Sequence, residues 1–320
     1  MKRLALLPIV GMLLFGGCNQ TDVGVNPASE GEKNAAVYAG YYDILVCKND
    51  RSMWRLYGPK STVESGSFVS VQGVAKSVSI GWCWGFVYDV QNPAAFTSGQ
   101  TWSIGGDVNF NGHLWRVETR QGTTPGWIRR SIVINGTTIL ATDVGAKKDR
   151  IYNNDKVFAI GEVSVNGSNI YAFNQSSKTW SVFGGVATKI DIDEQMNPWC
   201  VNAQGNIYQH NGSSWVIKNS GLFTASDIGC GVQNGGIFAV TTNGTIKRYT
   251  GSSWVDVPEF SATGKAAKKI AAAGVTLLVS TTSNELYMIT PAPYGSYTHR
   301  FAGISDVDDV SFRVDYATGS

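Results

Sequence analysis

The chain has 320 residues, of which 16% are charged and 43% are hydrophobic, with 37 glycines and a formal net charge of +2. Its charged fraction is below that of ordinary globular proteins and its glycine content is above it, which is typical of all-β structure rich in turns. Nucleic-acid binding normally requires a cluster of lysines and arginines. No such cluster stands out in the sequence, so we expect no nucleic-acid partner.

The first residues predict a targeting segment rather than a part of the fold. The basic pair Lys2–Arg3 precedes an apolar run, Leu4–Phe15, that is too short to span a bilayer as a stable helix. Gly16–Gly17 stand directly before Cys18, and this pattern resembles the bacterial lipobox, in which the signal is cleaved before a cysteine whose thiol is acylated. The alternative is an ordinary signal peptide with an unrelated cysteine.

These features predict three parts of the chain. Residues 1–17 are a lipoprotein signal peptide, residues 18–36 are the lipidated Cys18 with a flexible tether, and residues 37–320 are a single domain. Asn19 rather than Asp follows the cysteine, which resembles the pattern sent to the outer membrane. We therefore expect a lipid-anchored outer-membrane protein that faces the periplasm or the cell surface, with membrane lipid as one partner.

The most informative feature of the chain is a repeated spacing of glycine and tryptophan. Gly205 to Trp215 spans ten residues, as does Gly244 to Trp254, and the two copies lie 39 residues apart. Similar units recur on either side, with aligned apolar anchors at Ile44, Val78, Val108, Val144, Ile190, Ile228, Ile270 and Val310. The mean anchor spacing of 38 residues indicates a repeat architecture.

Each unit consists of short runs rich in Val, Ile, Thr, Tyr and Trp, bounded by Gly and Asn, and these are strand signals. Six Asn-Gly pairs predict tight hairpins, because type I′ turns need two residues at positive φ. Three or four short antiparallel strands per unit, repeated radially, predict an all-β fold, the β-propeller. A β-sandwich is the alternative, but it would not repeat at a fixed period.

The anchor spacing favours seven blades, or six if Val78 to Val144 forms one enlarged blade. The fragment Ile304–Val314 is predicted to return and pair with the N-terminal blade, which closes the ring and leaves no open sheet edge. The segment Ala266–Ala273 has helical propensity, but the repeat alignment predicts a strand there.

Four cysteines remain after Cys18. An even number of cysteines in an exported protein suggests disulfides. Pairing neighbouring units predicts the bridges Cys47–Cys83 and Cys200–Cys230, and buried free thiols are the alternative.

The sequence contains little that indicates catalysis. Its three histidines, His113, His210 and His299, are not spaced with Cys, Asp or Glu as a metal site requires. The acidic clusters Asp191–Asp193–Glu194 and Asp306–Asp308–Asp309 are interpreted as solvated loop ends beside strands. We therefore expect no enzymatic activity, no cofactor and no metal.

The repeat unit carries a family resemblance. Its marks are Asp227–Ile228–Gly229, Ile237–Val240, Asn243–Ile246 and Gly251–Pro258, the last of which contains Gly-Ser-Ser-Trp. This unit resembles the tectonin repeat, and the resemblance is good over roughly residues 143–290. It implies a lectin that binds microbial surface glycans such as lipopolysaccharide, or an interaction platform. Phe68 and Phe301 stand where other units have the tryptophan, so equivalent sugar sites in those units are in doubt.

Exposed aromatic rings suit sugar recognition, because their faces stack on pyranose C–H groups. Trp180, Trp215 and Trp254 recur at one slot, which both blade packing and ligand binding would explain. The glycan-binding candidates are Trp82, Trp84, Trp102, Trp199, Trp215, Trp254, Tyr208, Tyr294 and Tyr297.

Two functions follow from these observations. The first is a non-enzymatic, membrane-anchored lectin-like propeller that binds an envelope or surface carbohydrate. The alternative is a scaffold that docks a protein in an outer-membrane assembly or secretion complex. A cleft lined by aromatic and amide side chains between blades would favour the lectin, and a broad apolar patch would favour the scaffold.

Overall fold

The computed structural model describes residues 40–80, 101–107, 109, 111–118, 126–148, 155–164, 167–231 and 236–316. These residues all belong to one compact unit, Tyr38–Ser320. The predicted signal peptide, the tether with Cys18, and the side chains of Trp82, Cys83 and Trp84 lie outside the described residues.

The described residues form short β-strands joined by turns, as their β-branched and aromatic composition predicts. In chain order the first strands are β1 (Gly40–Lys48), β2 (Ser52–Pro59), β3 (Val69–Ile80), β4 (Thr101–Gly105), β5 (Leu114–Glu118), β6 (Gly126–Arg129), β7 (Ile132–Ile134), β8 (Thr137–Ile139), β9 (Ala141–Lys148), β10 (Asp155–Ser164), β11 (Gly167–Asn174) and β12 (Thr179–Ala187). They are followed by β13 (Lys189–Ile192), β14 (Pro198–Val201), β15 (Ile207–His210), β16 (Trp215–Ile217), β17 (Ala225–Cys230), β18 (Ile237–Thr241), β19 (Ile246–Tyr249), β20 (Trp254–Asp256), β21 (Ala267–Ala273), β22 (Thr276–Thr281), β23 (Leu286–Thr290), β24 (Tyr297–Arg300) and β25 (Val307–Tyr316).

Helix is confined to two single turns, α1 (Lys60–Val63) and α2 (Pro258–Ser261), among the residues described. In that part of the chain no helix has the length and apolar character needed to cross a bilayer.

Consecutive strands pair in antiparallel four-stranded sheets. Four of these sheets are β9 to β12, β13 to β16, β17 to β20 and β21 to β24. Strand β3 serves two further sheets, because its first half pairs with β2 and its second half with β4. One of these is therefore β25–β1–β2–β3 and the other is β3–β4–β5–β6.

The hairpin of β7 and β8 stands apart from these sheets. Its turn, Asn135–Gly136, has φ values of 51° and 79°, as the sequence predicted for a type I′ turn.

The innermost strands are arranged in a ring. In order they are β3, β9, β13, β17, β21 and β25, each in contact with the next, and β25 is in contact with β3. This arrangement confirms the all-β propeller. It contains six four-stranded sheets in the part of the chain that the structure describes.

Six is the lower of the two blade numbers that the anchor spacing allowed. The positions of the anchors in the sheets explain why eight anchors correspond to six blades. Ile44 and Val310 are anchors of the same sheet, since Ile44 pairs with Phe312 and Val46 with Val310. Val108 lies outside the described residues, between two strands of the sheet that begins at Val78. Eight anchors therefore mark six sheets.

Two local predictions are confirmed. Strand β25 pairs with β1 along nine positions, so the C-terminal segment completes the N-terminal sheet. The alanine-rich segment forms strand β21 rather than a helix. Its side chains at Ile270, Ala272 and Ala273 are buried, because cross-strand packing outweighs the local helix propensity.

A buried charge cluster joins the three strands at which the ring closes. Asp43 on β1 accepts hydrogen bonds from Arg55 on β2 at 2.7 and 2.8 Å and from Arg313 on β25 at 2.7 Å. All three side chains are at most 3% exposed. Burial opposes the charge of Asp43, but the two guanidinium groups lower the pKa of its carboxyl group.

Side chains on the innermost strands also connect the sheets at five of the six junctions of the ring. In each case an oxygen accepts a hydrogen bond from a backbone N–H of the following innermost strand. The bonds are Asp143 to Ile190 (2.8 Å), Asp191 to Cys230 (2.7 Å), Asp227 to Ile270 (2.9 Å), Asp309 to Val78 (3.0 Å) and Ser79 to Ala146 (3.0 Å). The interpretation of Asp191 and Asp309 as solvated loop ends was therefore wrong, because both lie on innermost strands.

Lysines neutralise these carboxylates at the centre of the ring. Burial opposes the charge of Lys189, but the carboxylates of Asp143, Asp227 and Asp309 raise its pKa. For Asp227 burial has the larger effect and raises the pKa to about 6, against the opposing charges of Lys269 and Lys189. Burial likewise raises the pKa of Asp309.

The predicted bridge Cys200–Cys230 is absent, and both residues are buried free thiols. Cys200 packs in the core of one sheet pair and Cys230 in the next, so each fills apolar space. Burial raises the pKa of Cys200 to about 12, which makes a reactive thiolate unfavourable. Cys47 is also a buried free thiol, while Cys83 lies outside the described residues.

The raised pKa of Asp227 makes stability depend on pH. Between about pH 4 and pH 6 the folded protein keeps a proton that the unfolded chain has released, so the free energy of unfolding falls as pH rises through that range. Asp227→Asn keeps an oxygen for Ile270 and removes the titration. We expect the fall in the variant to be smaller by up to roughly 3 kcal/mol in urea unfolding between pH 4 and pH 7.

The matched control for this experiment is Asp256→Asn, because Asp256 pairs with Lys247 at the surface with 69% of its side chain exposed. That variant should follow the parent profile. Parallel profiles for Asp227→Asn and the parent would contradict the assignment.

Candidate functional site

The tryptophans that recur at one slot pack between blades. Trp180, Trp215 and Trp254 lie on the outermost strands β12, β16 and β20. Each donates its indole N–H to a backbone carbonyl of the preceding blade: Trp180 to Arg130 (2.7 Å), Trp215 to Gly184 (3.2 Å) and Trp254 to Lys218 (3.0 Å). Their recurrence therefore reflects a repeated contact between blades.

Phenylalanine fills the corresponding position elsewhere. Phe68 packs edge-to-face against Phe301 with ring centroids 5.8 Å apart, and both rings are buried. A phenylalanine has no N–H to donate, so this junction is held by ring packing instead.

The other aromatic candidates differ in exposure. Trp102 is fully buried against Phe173 and Trp180, so its ring has no face available to a ligand. Tyr208 and Tyr297 are half-buried beside apolar clusters. Tyr294 is the candidate with a large exposed surface, at 45%.

A groove crosses the loop ends of three consecutive blades, those of β13 to β16, β17 to β20 and β21 to β24. Its volume is about 670 Å³, which is within the range of ordinary ligand sites. It brings together two of the sequence candidates, Trp199 and Tyr294, and leaves Trp102, Tyr208 and Tyr297 outside. Its polar lining includes Asp193, Glu194, Gln195, Gln209, Lys218, Arg248 and Thr250.

Asp193 fixes one end of the groove. It lies in the turn between β13 and β14, where its carboxylate accepts hydrogen bonds from the Asn197 backbone (2.9 Å), the Trp199 indole (2.8 Å) and the Gln209 amide (3.0 Å). The residue is only 2% exposed. It holds Trp199 and Gln209 in place across two strands, and the interpretation of Asp193 as a solvated loop end was wrong.

The wall of the groove combines aromatic rings with cations. Trp199 meets Tyr249 edge-to-face at a centroid distance of 5.6 Å. The Lys218 ammonium lies 5.8 Å from the Trp199 ring and 6.0 Å from the Tyr249 ring. The Arg248 guanidinium lies 5.6 Å from the Tyr294 ring. These contacts are in the range of cation–π interactions.

The sequence interpretation missed Lys218, Arg248 and Tyr249. Arg248 and Tyr249 lie on β19 and Lys218 follows β16, so each looks like an ordinary strand residue. These three residues come together only because neighbouring blades pack side by side in the folded protein.

In the part of the chain that the structure describes, no three His, Cys, Asp or Glu side chains are grouped as metal binding requires. The groove itself contains two carboxylates and no histidine among its described lining residues. Its arrangement suits reversible binding through rings, amides and charges.

No family model matches this chain, and neither does any curated protein sequence. Solved structures do. TolB from Acinetobacter baumannii is 9% identical over 86% of this chain and 67% of TolB, with a TM-score of 0.56. The chain is a β-propeller.

Other similar structures match less closely in shape. YCF48 bound to D1 peptide is 13% identical, covering 72% of this chain and 70% of that protein, with a TM-score of 0.43. A 6-phosphogluconolactonase-like protein from Bacteroides uniformis is 8% identical, covering 86% and 99%, with a TM-score of 0.48. At such identities a likeness shows the fold and leaves the ligand open.

The contact of Trp215 with the preceding blade can be tested at two adjacent glycines. Gly184 and Gly185 both have φ near +90°, so alanine strains the backbone at either position. A Cβ at Gly185 would lie 2.7 Å from the Trp215 indole nitrogen, whereas a Cβ at Gly184 meets nothing within 4 Å. We expect Gly185→Ala to lower the free energy of unfolding by about 1–3 kcal/mol more than Gly184→Ala. Equal losses in urea unfolding would show that the indole does not pack there.

The support that Asp193 gives to the groove predicts a second effect. Asp193→Ala removes the acceptor of one buried and two half-buried donors, so we expect a loss of about 2–4 kcal/mol in urea unfolding and a change in tryptophan fluorescence. The control is Asp256→Ala, which removes a surface ion pair and should cost under about 1 kcal/mol. Similar losses for the two variants would contradict the role given to Asp193.

Proposed function

We propose that the protein is a non-enzymatic, lectin-like propeller that binds a cell-envelope or surface carbohydrate in the groove. The observation that carries this proposal is the cleft between blades lined by the exposed Tyr294 and the half-buried Tyr249, with the buried Trp199 behind them, together with amide and carboxylate side chains. Sugars need such a combination, because a pyranose ring has apolar C–H faces and polar hydroxyl edges.

Tyr294 is the ring on which a sugar would stack. It is 45% exposed, and one face carries the Arg248 guanidinium. Gln195, Gln209 and Thr250 lie along the same groove and supply donors and acceptors for hydroxyl groups. The proposed site therefore needs no rearrangement of the core.

The loop that carries Tyr294 is held before any ligand arrives. The Ala292 backbone N–H donates to the Glu259 carboxylate at 2.8 Å, and the Tyr294 N–H donates to the Pro291 carbonyl at 3.0 Å. Glu259 belongs to helix α2 of the preceding connection. Such preorganisation lowers the entropic cost of binding.

The position of the protein in the cell is part of the proposal. Acylation of Cys18 would attach the propeller to the outer membrane through the segment 18–36. An anchored propeller would meet lipopolysaccharide-type glycans at the same membrane, and two or three acyl chains anchor a protein stably.

The test is binding to a glycan array that includes lipopolysaccharide and peptidoglycan, with protein lacking residues 1–18. The parent should bind, and Tyr294→Ala should bind roughly tenfold more weakly because the stacking surface is lost. Val133→Ala is the control, since Val133 is 49% exposed on the β7–β8 hairpin and does not line the groove. No binding by the parent to any glycan would overturn the proposal.

A second function, a docking scaffold for an envelope protein, has one observation in its favour. Apolar side chains are more than a third exposed on the outermost strands of three consecutive blades, and they are Val182 and Val186 on β12, Val216 and Ile217 on β16, and Val255 on β20. Exposed apolar surface can mark a protein interface. Crosslinking in intact cells distinguishes the two functions, because a single stoichiometric protein partner that Val182→Ser and Val216→Ser release would favour the scaffold.

A further inference from the structure

We propose that the ligand of the groove carries an anionic group, either a uronic-acid carboxylate or a sugar phosphate, and that Lys218 and Arg248 bind it. This inference deepens the proposed carbohydrate function and rests on it. It adds a charge requirement that the aromatic lining alone does not imply.

The first argument is that the groove cations lack the partners that other lysines have. Five lysines elsewhere in the described chain pair with carboxylates within 4.0 Å: Lys147 with Asp191, Lys189 with Asp143, Lys247 with Asp256, Lys265 with Glu285 and Lys268 with Asp308. Within the described residues no ion pair involves Lys218 or Arg248, whose cationic groups contact aromatic rings instead.

The second argument is the position of these cations. Lys218 and Arg248 are both half-buried in the groove wall. Partial burial removes some of the hydration that stabilises a charged group. Cation–π contacts with aromatic rings compensate for only part of this loss in free energy. An anion in the groove beside either side chain would supply the charge-assisted hydrogen bonds that the folded chain leaves unmade.

The third argument is that the groove carboxylates are already engaged. Asp193 accepts three hydrogen bonds from the Asn197 backbone, Trp199 and Gln209, so it is committed to holding the wall. Glu194 has a contact of its own as well. The charged hydrogen-bond donors in the described lining of the groove are the Lys218 ammonium and the Arg248 guanidinium, and such donors suit a ligand that carries an anionic group.

The arrangement also suits a sugar that bears the anion on its ring. Arg248 lies 5.6 Å from the centroid of Tyr294, so an anionic substituent that extends past the edge of this ring from a stacked pyranose can reach the guanidinium. Lys218 reaches the groove from the end of β16, beside Trp199 and Tyr249. Arginine can bind a carboxylate or a phosphate with two hydrogen bonds, and lysine adds a point charge.

The experiment compares matched neutral and acidic polysaccharides by calorimetry with protein lacking residues 1–18. One pair is polygalacturonate and its methyl ester, and the other is phosphomannan and mannan. We expect the acidic member of at least one pair to bind at least tenfold more tightly at low ionic strength, with the difference shrinking as salt is added. Preference within the first pair identifies a carboxylate, and preference within the second identifies a phosphate.

The variants separate this inference from the proposed function. Lys218→Gln combined with Arg248→Gln should remove the preference for the acidic member, while Lys265→Gln, which disrupts the exposed pair with Glu285, should keep it. Tyr294→Ala should weaken binding to both members of a pair.

Equal binding of acidic and neutral members would overturn the charge inference and leave a neutral lectin. Failure of all four polymers to bind, with other glycans bound on the array, would overturn it in the same way. Failure on both the polymers and the array would overturn the proposed function as well. If the double variant still bound the acidic member more tightly, residues other than Lys218 and Arg248 would cause the preference, and the inference would be wrong.

Discussion

The pairing of β25 with β1 is the interaction on which the propeller depends. It joins the two ends of the described chain in one sheet, and without it the innermost strands would form an open arc with an unpaired edge. The carboxylate of Asp43 between Arg55 and Arg313 lies at this junction and connects the three strands concerned. A buried charge that needs both partners penalises any other register, since a slip would leave an ion without compensation.

The hydrogen bonds between innermost strands act together with this closure. Each carboxylate is held near a backbone N–H of the next blade, and lysines in the centre balance the charge. The groove is built on three of these blades, so its shape depends on how they are angled about the axis. Rigid blades with short loops place Trp199, Tyr249 and Tyr294 accurately, although the residues are distant in sequence.

Much of the fold could be predicted from the sequence, because the signals that specify it are local and repeat. The Gly-Ser-Ser-Trp spacing marked the outermost strands at Trp215 and Trp254, and the repeat alignment correctly overruled the helical propensity of the alanine-rich β21. The number of blades was harder to read. Val108 carries the same apolar signal as the other anchors, and nothing local reveals that it follows β4 and precedes β5 of a single sheet instead of starting a new one.

The candidate site was harder to predict from the sequence than the fold. Aromatic content identified the exposed Tyr294, but it also selected Trp199 and Trp102, which are both buried. Arg248 lies on an ordinary strand and Lys218 directly follows one, and only the juxtaposition of blades distinguishes them from solvated residues. The pairing of Cys200 with Cys230 failed for a related reason, since neighbouring units in sequence do not imply neighbouring side chains.

Strand β25 has a consequence for how the protein matures. The sheet that contains the first described strand cannot be completed until β25 has left the ribosome. The N-terminal strands therefore keep an unpaired edge while the later blades assemble, and β25 forms a long-range contact of the kind that slows folding. An unpaired edge can pair with the same edge of another chain, so this topology favours protection of the incomplete chain until β25 is in place.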